Sequence, residues 1–176
     1  RDHHYMLDIP ARGLAVEALR NLVSVTQFGP VGKGRDDTVI VQRAIDATVG
    51  AMLWIPRGLT LLVDGIQLPA STYLAGGGTI KRIDSAAMSY VVAIDGDGVE
   101  IDGLTIDGNK SSQTVAADNI VATAVGAITL RQVKSIDAFN NGGTVGNGVV
   151  IDHSTDIANG TRSFVSGCTF TGTESI

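Results

Sequence analysis

The chain is poor in cysteine, in basic charge and in long apolar runs, and each shortage removes a class of protein. Cys168 is the single cysteine, so no disulfide can form within the chain, and a buried structural thiol is the expectation. Thirteen Lys and Arg stand against eighteen Asp and Glu, a net charge of -5 with no basic stripe. Sequence-independent binding to a phosphate backbone needs clustered cations, so nucleic acid is not an expected partner. No apolar run reaches the roughly 18 residues that span a bilayer, and RDHHYMLD at the start lacks the basic-then-apolar order of a signal peptide. A membrane is therefore not an expected partner either. The length of 176 residues suits one domain that buries roughly two thirds of its unfolded surface.

What is present divides at about residue 24. After Pro10, ARGLAVEALRNL places Ala15, Ala18, Leu19 and Leu22 on one helical stripe. Three turns are marginal alone, so this lead-in, residues 1–24, is expected to pack on the following domain or on a neighbouring subunit. From Val25 to Lys81 the sequence carries a β-type run, a glycine loop (Gly29 to Gly34), and a helix start at Asp36-Asp37. Either Asp can accept the free N–H groups of the first turn and suits the positive end of the helix dipole. Val41, Ala44, Ile45 and Thr48 share one face of that helix, and Gly50 closes it. Short strands are predicted at Met52–Ile55, Leu59–Val63, Ile66–Leu68 and Tyr73–Leu74, separated by Pro and Gly turns.

This order resembles the N-terminal part of pectate-lyase-like right-handed parallel β-helix proteins, most of all bacteriophage tailspikes and polysaccharide depolymerases. The resemblance implies an all-β solenoid over residues 25–176, with the helix at 36–49 capping its open end. The later sequence supports it by period. VVAIDGDGVEIDGLTIDGN, GAITLRQVKSIDAFNNGG and GVVIDHSTDIANG each carry an apolar strand, a polar turn and a second strand with Ile. Taking Ile94, Leu130 and Ile151 as equivalent, with Ile101, Ile136 and Ile157 in the second strands, the last two copies are about 21 residues apart, one solenoid turn. The wider first gap then assigns Lys110 to Val125 to a protruding loop or a short additional turn. CTFTGT near the end has no polar cap behind it, so the solenoid is expected to continue past Ile176.

Candidate chemistry follows from the same alignment. It brings Asp95, Arg131 and Asp152 to one position after a strand, with the two carboxylates roughly 9 to 10 Å apart and Arg131 between them. That separation borders on the range of an inverting glycosidase, and it equally describes an alternating-charge ladder. His153 is a possible general acid or base beside Asp152. Asp95, Asp152 and His153 are thus the candidate catalytic residues, and Arg131 the candidate substrate contact. The glycine loop is no nucleotide cradle, because Gly34 stands where a P-loop needs Ser or Thr, and Asp36 and Asp37 oppose phosphate. Asp95, Asp97, Asp102 and Asp107 offer oxygen ligands without a calcium-site spacing, so no metal or other cofactor is expected. Asn109, Asn140, Asn141 and Asn147 read as turn residues, and the Asn109 and Asn159 sequons as chance. Trp54 and Tyr73 are expected in the packing rather than on a sugar-stacking surface.

Two functions stay open, with a third beside them. A tailspike-like virion protein would recognise, and could depolymerise, a bacterial surface polysaccharide, and the resemblance implies a homotrimer attached to other tail proteins. A secreted bacterial lyase, glycosidase or epimerase is the alternative. The third is a capping and connecting part whose sugar chemistry lies elsewhere.

Overall fold

The computed structural model describes residues 22–123, 126–142, 146–152 and 163–172. The lead-in helix falls outside them, although Leu22, the last residue of its apolar stripe, opens strand β1 (Leu22–Ser24). The VTQF run expected as a strand forms one 3-10 turn, Val25–Phe28, whose first turn is capped by the Ser24 hydroxyl accepting from the Thr26 N–H. After the glycine loop comes helix α1 (Thr38–Ala47), with Val41, Ala44 and Ile45 buried as the face pattern predicts.

Fourteen further strands follow: β2 (Met52–Ile55), β3 (Thr60–Val63), β4 (Ile66–Leu68), β5 (Tyr73–Gly76), β6 (Thr79–Arg82), β7 (Tyr90–Ile94), β8 (Val99–Asp102), β9 (Thr105–Asp107), β10 (Asp118–Thr123), β11 (Ile128–Arg131), β12 (Lys134–Ile136), β13 (Val149–Asp152), β14 (Phe164–Ser166) and β15 (Thr169–Thr171). They form three sheets, and every strand pair is parallel. Sheet I runs β1-β2-β5-β8-β11-β14, sheet II runs β3-β6-β9-β12-β15, and sheet III runs β4-β7-β10-β13. Each circuit of the chain visits the three in turn. Over the described residues the fold is therefore a parallel β-helix with one short α-helix at its first end.

Short strands suffice where alternate side chains are buried against the other two sheets, as in β2, β3, β4, β6, β8, β11 and β12. Leu53, Leu74, Ile101 and Leu130 stack inward from sheet I. Ile66, Val92 and Ile120 do so from sheet III, as do Leu61, Ile80 and Ile106 from sheet II. The core is thus a set of apolar columns along the axis, with neighbouring turns about 4.8 Å apart.

A first strand in each sheet leaves an edge, and unpaired edge groups invite association. Here local chemistry covers those of sheets II and III, and on sheet I the three-residue β1 is itself the first strand. Strand β1 pairs with β2 on sheet I. On sheet II the Asp37 N–H donates to Leu62 O (2.7 Å), and the Asp37 carboxylate accepts from the Leu62 N–H (3.2 Å) and the Gly32 N–H (3.0 Å). On sheet III the Gln42 amide takes the place of a strand, bonding both the N–H and the C=O of Gln67 at 2.9 Å. The two predicted capping aspartates have separate duties. Asp36 accepts from the Thr38 N–H at 2.8 Å, whereas Asp37 is fully buried and fastens the glycine loop to the sheet edge.

The alignment of the later repeats is corrected by the register. Ile94 and Ile151 do share a column, joined through Ala122, but Leu130 lies in sheet I with Ile101 above it. The segment 126–143 begins on sheet I, whereas 91–109 begins one strand earlier, on sheet III. Residues 110–125 accordingly carry strand β10, the third strand of an ordinary turn, behind a short 3-10 turn at Lys110–Ser112.

Polar groups also enter the interior. Arg82, inward-facing at the end of β6, is fully buried and donates to the carbonyls of Val115, Ala86 and Met88. Burial lowers its pKa, opposed by the Asp64 carboxylate. Asn119, also fully buried, donates to Ser135 Oγ (2.9 Å) and Ile136 O (2.7 Å). Asn109 adopts the left-handed conformation expected of a turn asparagine and bonds back to Arg82 O at 3.0 Å, tying adjacent turns together.

Candidate functional site

The outer face of sheet I collects the chemistry. In β2, Leu53 and Ile55 point inward, so Met52 and Trp54 point outward and are half-buried. The same alternation exposes Tyr73 in β5, Glu100 and Asp102 in β8, and Thr129 and Arg131 in β11. Register then builds two outward columns. One runs Met52, Tyr73, Glu100, Thr129 and Phe164; the other runs Trp54, Ala75, Asp102, Arg131 and Ser166. From Trp54 to Arg131 is three turns, about 14 Å along the axis. This corrects the expectation for Trp54 and Tyr73, which lie on the outer surface and not in the core. MLWI and YLAG are apolar at nearly every position, so their inward and outward residues cannot be separated by composition.

Arg131 Nη1 lies 3.3 Å from Glu100 Oε2 across one turn. Asp102 is the strand partner of Arg131, yet it carries no ion pair among the described residues. A groove of about 310 Å³ opens beside this pair, lined by Met52, Ser71, Tyr73, Gly98 and Glu100. Tyr73 supplies its aromatic ring and Glu100 its carboxylate. The Tyr73 phenol has a raised pKa, first through burial and then through the charges of Asp102 and Glu100, with Arg131 opposing. The field at that hydroxyl is therefore net negative, and the phenol is held as a neutral hydrogen-bond donor.

The residues proposed from sequence are dispersed. Asp95 is exposed just after β7, and Asp152 is exposed at the end of β13. Thr123, paired with Asp152, stands in the turn between them, which leaves Asp95 and Asp152 two turns apart. Arg131 does not lie between them, because it belongs to sheet I. His153 lies outside the described residues. The four carboxylates weighed for calcium also separate. Asp102 faces out from sheet I, Asp107 pairs with Lys81 at 3.3 Å on sheet II, and Asp97 accepts from the Gly126 N–H.

A second, larger groove of about 790 Å³ runs between α1 and sheet III, past Val39, Gln42, Arg43, Gln67, Met88 and Tyr90. Much of its polar lining is already engaged in the cap. Gln42 holds the Gln67 backbone, and Arg43 donates to the Phe28 carbonyl. Asp46, which also lines the groove, accepts from the Gln42 amide at 2.9 Å; on the sheet I face Asp102 has no ion pair among the described residues.

Known proteins agree with the architecture. No family model matches the chain. It is 24% identical over 139 residues to the preneck appendage protein of Bacillus phage PZA and equally to the pre-neck appendage protein of Bacillus phage phi29. Each alignment takes in 68% of this chain and 16% of the relative, so the chain spans a small part of those proteins. Among solved structures, a protein of Parabacteroides merdae provisionally named a glycosyl hydrolase superposes with a TM-score of 0.58 at 18% identity, covering 84% of this chain and 80% of the other. The similarity to the phage proteins is distant, and that to the solved structure is one of fold.

Proposed function

We propose that this chain is a β-helical module of a phage virion appendage, and that the outer face of sheet I binds a bacterial surface polysaccharide. The observation that carries this reading is the face itself: Trp54 and Tyr73 beside Glu100, Asp102 and Arg131, on a rigid parallel sheet. Aromatic rings offer apolar contact to the C–H faces of sugars, while carboxylates and guanidinium groups take the hydroxyls. Sites on strands hold their geometry better than sites on loops. The distant similarity to phage appendage proteins supports the setting. In that setting a homotrimer joined to other tail proteins is the expected assembly, which light scattering tests; a monomer favours a free enzyme.

The binding test is an array of immobilised bacterial surface polysaccharides probed with the wild type and with Tyr73→Ala. Retention of at least one polysaccharide, lost in the variant, supports the reading. Binding unchanged by Tyr73→Ala moves the site elsewhere.

A second reading adds cleavage. Asp95 and Asp152 stand two turns apart, about 9 to 10 Å, at the wide limit for an acid and a base that flank a water. Asp152→Asn should then abolish release of reducing ends from any polysaccharide that binds, and undiminished release removes the pair from consideration.

A further inference from the structure

We propose that the sheet I face selects a polysaccharide carrying free amino sugars and rejects one carrying carboxylate or phosphate groups, with Asp102 and Glu100 as the specificity-determining residues. This rests on the reading of that face as a glycan surface and adds the charge class of the glycan.

Two carboxylates and one guanidinium make up the formal charge of the two outward columns, whose other members are Met52, Trp54, Tyr73, Ala75, Thr129, Phe164 and Ser166. The guanidinium is committed, because Arg131 lies against Glu100 at 3.3 Å. An incoming anion would share the guanidinium with Glu100 and sit beside Asp102, one strand away. Like charges at that spacing repel. An ammonium group meets the opposite situation: Asp102 has no ion-pair partner among the described residues to surrender, and its charge acts on Tyr73, which lines the groove together with Glu100. The raised pKa of Tyr73 reports the same sign of field from a different atom, since both carboxylates outweigh Arg131 there. The aromatic ring adds to the preference, as a cation near a π face is attracted by the ring quadrupole.

The geometry also predicts what Arg131 does. It lies against Glu100, so an anion that reaches it meets that carboxylate as well. Removing both carboxylates should release it, so that Glu100→Gln/Asp102→Asn turns the face toward anionic sugars.

The test is calorimetric titration of the whole chain with three oligosaccharides of equal length: glucosamine oligomers, their N-acetylated counterparts and oligogalacturonate. The glucosamine oligomer should bind in a salt-dependent manner, and the acetylated one about ten-fold more weakly, the loss of one charge-assisted contact. Oligogalacturonate should give no binding to the wild type and measurable binding to the double variant. Asp102→Asn should bring the glucosamine oligomer down to the level of the acetylated one. Asp46→Asn, an equal change of net charge on the exposed side of α1, should leave it unaltered. Equal binding of glucosamine and acetylated oligomers, tighter binding of oligogalacturonate to the wild type, or equal effects of Asp46→Asn and Asp102→Asn would each overturn the charge selection while leaving a glycan surface. Absence of binding by all three, with Trp54 fluorescence unperturbed, would remove the glycan surface and the selection together.

Discussion

Asp37 offers the sharpest test of how the solenoid is closed at its first end. Its side chain is fully buried, and one carboxylate oxygen accepts from both Gly32 N–H (3.0 Å) and Leu62 N–H (3.2 Å). Asp37→Ala strands two amide donors, each worth about 1–3 kcal/mol when left unpaired in the interior. A loss of about 3 kcal/mol is expected. Asp36→Ala removes an exposed acceptor for the Thr38 N–H and hydroxyl, together worth about 1 kcal/mol. With a urea m value of about 2 kcal/mol/M, the midpoints should fall by about 1.5 M and about 0.5 M respectively. Trp54 is the single tryptophan and sits in β2, beside the first strand, so its fluorescence follows this end of the fold. Asp37→Asn, which keeps one acceptor oxygen, should fall between the two and serves if the alanine variant does not fold. Equal losses for Asp36→Ala and Asp37→Ala, or the larger loss at Asp36, would refute the assignment of Asp37 to the sheet edge.

Four further outcomes follow from the same geometry. Gly76 has a φ of +140°, and an added Cβ would stand 2.0 Å from the Ile55 carbonyl oxygen, so Gly76→Ala should cost at least about 3 kcal/mol in denaturant titration. Gly98, with a φ of +69° but nothing within 4 Å, should lose only about 1 kcal/mol as Gly98→Ala. Gln42→Leu removes two hydrogen bonds to Gln67, about 1–2 kcal/mol, and should raise hydrogen exchange at the Gln67 amide without altering that of β8. Tyr73 should titrate above its ordinary value of 10.0 by NMR; Glu100→Gln/Asp102→Asn should lower that value and Arg131→Gln raise it. Because the folded-state pKa is raised, this phenol's contribution to stability is complete below the unfolded value and is lost as the pH climbs through the folded one.

The architecture was legible where local chemistry spoke alone. The paired aspartates, the face Val41, Ala44, Ile45 and Thr48, and the Pro and Gly turns of residues 52–76 each imply a structure without reference to distant residues. Register across turns was not legible in the same way. Ile94 and Leu130 both end apolar strands before a polar turn, and the sequence does not mark that one serves sheet III and the other sheet I. The alternation Glu100-Ile101-Asp102 was the readable signal for the outer face, because a charged-apolar-charged triplet fixes which side points in. Laying MLWI and YLAG under it would have placed Trp54 and Tyr73 outside. Arg82 gave no such signal, since only tertiary contacts with Val115, Ala86 and Met88 make a buried guanidinium tolerable.

The central claim is that a polysaccharide lies on the outer face of sheet I, and Trp54 reports on that face directly. Its emission should shift or quench saturably as a bound bacterial surface polysaccharide is titrated, with the same midpoint as calorimetry, and Tyr73→Ala should weaken both together. Saturable binding by calorimetry with Trp54 emission unchanged would contradict the account, because the sugar would then lie on another face of the solenoid.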